Sequence, residues 1–115
     1  MLTITVLTLG TLGIAVRFFS DTLIRWEGWP LSTFLVNIVG CFLAGWVFSH
    51  PGFTSDTKTP VIIGLCGGLT TFSALILQSL QMIRAGDWQK AIAYLLISQL
   101  AGLFCAWAGM KMGEI

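Results

Sequence analysis

Charge is what this sequence has least of. Lys and Arg number 6, Asp and Glu 5, and together they make 10% of 115 residues. Soluble domains carry about 25% charged residues, so this chain has too few to cover a water-facing surface. A net charge of +1 gives no long-range pull on nucleic acid. Carboxylates are missing where a transporter would need them: Asp21, Glu27, Asp56, Asp87 and Glu114 all fall in expected loops or at helix ends. A four-helix antiporter exchanging protons for cations needs a buried acid, and the first apolar run has none. The lone histidine, His50, precedes Pro51-Gly52 and reads as a loop residue. Cys41, Cys66 and Cys105 stand singly, without a C-x-x-C pair or a nearby histidine, and read as small apolar packing residues. No nucleophile–base pair or metal-ligand cluster is visible. Gly64, Gly67 and Gly68 lack the G-K-[ST] and flanking strand of a phosphate loop. An enzyme is not expected.

What is present is apolar: 56% of residues are hydrophobic, and mean hydropathy is +0.87. Uncharged runs cover 1–16, 30–49, 59–83 and 91–110. A spanning helix needs about 20 apolar residues; the first run qualifies only if it continues through Arg17 towards Ile24. A signal peptide is not expected, because no basic segment precedes this run and no A-x-A site follows it. The expectation is one all-α, four-helix transmembrane domain over 1–115, with helices near 2–24, 30–49, 59–84 and 88–112.

The third helix carries the main irregularity, Gly64-Leu65-Cys66-Gly67-Gly68-Leu69-Thr70-Thr71-Phe72-Ser73. Each glycine weakens a helix by about 1 kcal/mol relative to Ala, and hydroxyl residues cap helix starts better than they fill interiors. The pattern predicts a break over 67–71. Unpaired backbone is tolerated at membrane depth only where it is buried in protein or lines a wet cavity. Something polar, an ion among the candidates, is therefore expected to meet the chain there.

Other polar residues each admit two readings. Arg17, Asp21 and Arg25 follow at i+4 steps on one face; Arg17 either snorkels to headgroups or serves as a vestibule cation. Ser32 and Thr33 are placed to cap the second helix, while Asn37 lies deeper and either bridges helices or lines a polar path. Tyr94, Ser98 and Gly102 recur every fourth residue on the last helix; the two hydroxyls either cross-link helices or face an ion. Gly10 and Gly13, and Gly102, Ala106, Gly109 and Gly113, suit close helix packing. Trp26 and Trp29 fit an interfacial aromatic belt. Basic residues divide weakly between the two sides: Arg25, Arg84 and Lys90, with Arg17 just inside, against Lys58 and Lys111. So slight a bias permits insertion both ways. Together with the small interior of four helices, it points to a dimer, with an antiparallel one as an option.

Three segments resemble the Fluc (CrcB) fluoride channels. They are Gly10-Thr11-Leu12-Gly13-Ile14-Ala15-Val16-Arg17-Phe18, Thr33-Phe34-Leu35-Val36-Asn37-Ile38-Val39-Gly40-Cys41-Phe42, and the broken third-helix stretch. The resemblance implies an antiparallel, dual-topology homodimer, in a multi-pass arrangement in the cell (inner or plasma) membrane lipid, carrying fluoride passively outward. It implies a structural Na⁺ at the dimer interface on backbone carbonyls of Gly67 and Thr70. It also implies a pore with Asn37, Phe72 and Ser98, Arg17 at the vestibule, and Thr71, Ser73 and Tyr94 as further wall residues. Two departures stand out: the second pore Phe of the family is replaced by Leu75, and the hydroxyl one turn after Ser98 by Gly102. Either one Phe suffices, or conduction is weaker, or a paralogous partner supplies the missing ring in a heterodimer. The alternative is a small multidrug or cation transporter of the same four-helix dual-topology type, and a non-transporting assembly protein is a third reading.

Overall fold

The computed structural model describes residues 1–25 and 27–115. Trp26, paired above with Trp29 as an interfacial aromatic, lies outside the described residues. Among them all regular structure is helical. Four stretches are long and apolar enough to cross a membrane: Leu2–Leu23, Leu31–Ser49, Ser55–Arg84 and Trp88–Gly113.

Helix α1 (Leu2–Leu23) fully buries only Gly13, and most of its large apolar side chains face outward. Hydroxyls on such a face need local partners. Thr5, Thr8 and Thr11 accordingly donate to the carbonyls of Met1, Ile4 and Leu7, four residues back, at 2.9, 2.8 and 2.8 Å. Helix α2 is Leu31–Ser49. Ser32 and Thr33, expected as caps, bond across to other helices instead.

The third span begins at Ser55, four residues before the expected start. Asp56 stands in the first turn of α3 (Ser55–Thr59), where the helix dipole favours an acid. Pro60 then falls inside the helical path. It has no N–H to give and its ring crowds the preceding turn, and over Pro60–Cys66 the ladder widens into a π-helical segment. One further turn, α4 (Gly67–Leu69), follows. The chain then leaves helical geometry at Thr70 (φ −86°, ψ 157°) and Thr71 (φ −150°, ψ 113°) before α5 (Phe72–Arg84) begins.

The break is thus narrower than the 67–71 predicted from composition, because the glycines serve another purpose. A Cβ at Gly64 would lie 2.7 Å from the Val6 carbonyl oxygen, and one at Gly68 would strike the Gly10 carbonyl. From the other side, a Cβ at Gly13 would strike the Leu65 carbonyl and lie 2.8 Å from the Leu69 nitrogen. The glycines let α1 and the first arm of the third span run side by side, backbone against backbone. Gly67 and Gly68 stay helical; the two threonines carry the break.

A second parallel pair joins α2 to α6 (Trp88–Gly113). Side chains at Gly45, Gly109 and Gly113 would strike Ala106, Phe42 and Ser49 respectively. Ser49 Oγ donates to the Met110 carbonyl at 2.7 Å. Gly86, at φ +90°, turns the chain between α5 and α6.

Candidate functional site

Ending a helix inside a membrane orphans its last carbonyls and the first amides of the next helix. Three side chains take them up. Thr71 Oγ1 accepts from the Ala74 amide at 3.2 Å, which caps α5. Asn37, projecting from α2, meets Thr71 with both ends of its amide. Its Oδ1 accepts the Thr71 N–H at 2.7 Å, and its Nδ2 donates to the Thr71 carbonyl at 3.3 Å. Arg17 Nε donates to the Gly68 carbonyl at 3.1 Å, placing a cation at the carbonyl end of the first arm, where the helix dipole is negative. Thr70 turns back on its own helix, with N–H and Oγ1 both donating to the Cys66 carbonyl, at 2.9 and 3.0 Å. The Gly67 carbonyl is left over: the Thr71 amide that would have bonded it in a continuous helix points to Asn37.

Beside the break lies a groove of about 440 Å³, lined among others by Asn37, Thr70, Thr71, Phe72, Leu75, Ser98 and Gln99. Five residues singled out from the sequence therefore meet at one place. Phe72 is 69% exposed on its rim, while Leu75, three residues on, is 4% exposed. Ser73 contacts Thr71, the hydroxyls 3.3 Å apart, on the exposed side. Ser98 Oγ is buried with no hydrogen-bond partner among the described residues. A serine in a helix can satisfy itself on a carbonyl four residues back; Ser98 does not, and it lines the groove instead. Gly102, where a further hydroxyl was expected, is buried; a Cβ there would lie 3.4 Å from Cys41 Sγ.

Tyr94 is placed apart from this groove. It is fully buried, its ring meets Trp29 edge-on with centroids 5.3 Å apart, and its hydroxyl donates to Gln78 Oε1 at 2.7 Å. Gln78 Nε2 donates onward to Thr33 Oγ1 at 2.8 Å. This chain of bonds ties α6, α5 and α2 together and opens on a recess of about 740 Å³ whose polar lining includes Asp21, Arg25, Glu27, Ser32, Thr33 and Gln78. Ser32 Oγ donates to Asp21 Oδ1 at 2.7 Å. Arg25, not Arg17, is the cation on this recess.

Sequence reasoning missed two amides, Gln78 and Gln99. Both sit inside apolar runs, and the argument that singled out Asn37, a polar group too deep to go unpaired, applied equally to them. Asp21 was assigned to a helix end; it occupies the last turn of α1, as expected, but it also joins α1 to α2. The three cysteines are free thiols, and no cluster of His, Cys, Asp or Glu able to hold a metal occurs among the described residues.

Comparison with known proteins covers nearly the whole chain. A fluoride-specific ion channel FluC of Stutzerimonas stutzeri (strain A1501) is 34% identical over 114 residues, spanning 92% of this chain and 91% of that protein. FluC 1 of Geobacillus kaustophilus (strain HTA426) is 39% identical over 110 residues, 91% of each. FluC 2 of Rhodococcus jostii (strain RHA1) is 32% identical over 104 residues, 90% of each. The family model described as CrcB-like protein, Camphor Resistance (CrcB), matches residues 4–110, a range that reaches into all four spans and holds every residue of the groove, and the chain belongs to that family.

Proposed function

We propose that this multi-pass membrane protein is a fluoride channel that lets the ion leave the cell passively and so lowers its cytoplasmic level. The observation that carries the reading is the groove at the break, where the unpartnered Ser98 hydroxyl and the Phe72 ring flank a fixed backbone turn. Fluoride gives up water only if donors replace it. A hydroxyl and the positive edge of an aromatic ring suit a small anion, and the carboxylates within the spans, Asp21 and Asp56, lie in end turns away from the groove. The curated relatives carry fluoride-specific names. The cation-transporter alternative requires an acid at mid-membrane. Asp21 is the acid nearest to that requirement, and it sits in the last turn of α1, held by Ser32.

The working unit of this reading is an antiparallel, dual-topology dimer. Phe72 and Ser73 stand uncovered near the middle of the third span, where a second copy would cover them and add its own groove. A structural Na⁺ fits the same place. The Gly67 carbonyl is freed by the turn of Thr71 towards Asn37, Gly67 itself is exposed, and unwound carbonyls suit hard cations. With two carbonyls from Gly67 and Thr70, one protomer gives too few oxygens, so the ion would need both copies.

The test is efflux from liposomes bearing the purified protein and loaded with fluoride or chloride. Rapid fluoride release with chloride retained is the expected result. Silence towards fluoride, or equal chloride release, refutes the function.

A further inference from the structure

Gln99 lies near the centre of α6 (Trp88–Gly113), about 16 Å along the axis from its start at 1.5 Å per residue. It is exposed, it lines the groove at the break, and its amide has no hydrogen-bond partner among the described residues. An amide facing hydrocarbon at that depth is costly, so polar residues inside spans face a bundle interior or a wet path.

The other polar side chains of the groove are largely committed. Asn37 spends both ends of its amide on Thr71. Thr70 Oγ1 donates to Cys66, and Thr71 Oγ1 caps α5 and contacts Ser73. Asn37 keeps one N–H free, while two groups make no hydrogen bond at all among the described residues, the buried Ser98 hydroxyl and the neighbouring Gln99 amide. They are adjacent on α6, about 100° apart around its axis, and both line the same groove. Leu75 lines it too and offers no ring edge.

We infer that Gln99 is an ion-contacting residue of the permeation path: its Nε2 donates to the passing anion beside Ser98 and contributes to selectivity. This rests on the proposed fluoride function, and the experiment separates the two. Parent, Gln99→Leu and Gln99→Asn proteins are compared in liposomes for fluoride and chloride efflux, with oligomeric state in detergent measured on each. Leucine is close in volume and removes the donor; asparagine keeps an amide on a shorter stem. The expected result is a fluoride rate about tenfold or more lower for Gln99→Leu, since a hydrogen bond to a charged group is lost. Gln99→Asn is expected between the two, with oligomeric state unchanged in both. Gln99→Leu conducting like the parent overturns the inference while leaving the channel function standing. So does loss of flux accompanied by loss of assembly, which would make the amide an intersubunit contact. A parent protein silent towards fluoride overturns the function and this inference with it.

Discussion

The amide of Asn37 is the most exacting element of the break, and its removal has a calculable cost. In Asn37→Ala, the Thr71 N–H loses its 2.7 Å acceptor, and a buried donor left unsatisfied costs about 1–3 kcal/mol. The Thr71 carbonyl also loses its donor, but that bond is long, 3.3 Å, and a carbonyl tolerates under-satisfaction better; it adds about 0.5–1 kcal/mol. The sum is roughly 1.5–4 kcal/mol, with the lower half expected because the open groove lets water reach the orphaned groups. Asn37→Asp makes the comparison specific. The carboxyl keeps an acceptor for the Thr71 N–H, and a neutral acid also retains one donor. Its loss is expected below about 1 kcal/mol if it stays protonated.

Reversible unfolding of the purified protein in mixed micelles, followed by tryptophan fluorescence, measures these differences. The expected stability order is parent, Asn37→Asp, Asn37→Ala. Should Asn37→Ala unfold within about 0.5 kcal/mol of the parent, the bracing argument fails. Fluoride efflux run alongside then distinguishes what is left: a stable but silent Asn37→Ala protein would mean that the amide meets the ion itself.

Two further substitutions probe the frame around the break. Gly68→Ala places a methyl on the Gly10 carbonyl and is expected to cost about 1–3 kcal/mol by forcing α1 away. Gly67→Ala meets nothing closer than the Ile62 carbonyl oxygen, at 3.8 Å, and in the same unfolding assay is expected to equal or exceed the parent through helix propensity. Arg17→Gln removes the charged donor to the Gly68 carbonyl and is expected to lose about 1–2 kcal/mol, discounted from the 1.5–3 typical of charged hydrogen bonds because the site is half-exposed. Arg17→Lys should not restore it, since the bond is made by Nε, which lysine lacks.

The spans and the existence of a break were legible because both follow from composition. A membrane imposes length and apolarity on each helix, and hydroxyl residues inside such a run conflict with it. The break was placed correctly but drawn too wide, because glycine has two uses that look alike in a sequence. Gly64 and Gly68 satisfy the demand of α1 for close approach, a partner some fifty residues away, and nothing local distinguishes that from unwinding. The partner of Arg17 was hidden for a similar reason: its position near the end of α1 is visible, but the Gly68 carbonyl it reaches is orphaned only once the chain has turned at Thr70. Tyr94 and Ser98 share one helical face by spacing, yet one is locked into the core by Gln78 and the other faces the groove. Spacing gives the face of a helix and not what lies opposite.

The break is held from three directions, by α1 through Arg17, by α2 through Asn37 and by its own Thr71 hydroxyl. A turn determined that many times over does not rearrange cheaply, so the groups it presents are fixed before an ion arrives. That arrangement suits selection of a strongly hydrated anion, because donors already in place spend no free energy on reorganisation when they replace water. Phe72 is the exception. No polar contact fixes it and it stands largely exposed, so in the proposed pore its ring would be held by something outside the protomer. In the proposed dimer, covering Phe72 and completing the ion path are then the same event, and a monomer would carry the whole frame of the break without a defined ring beside it.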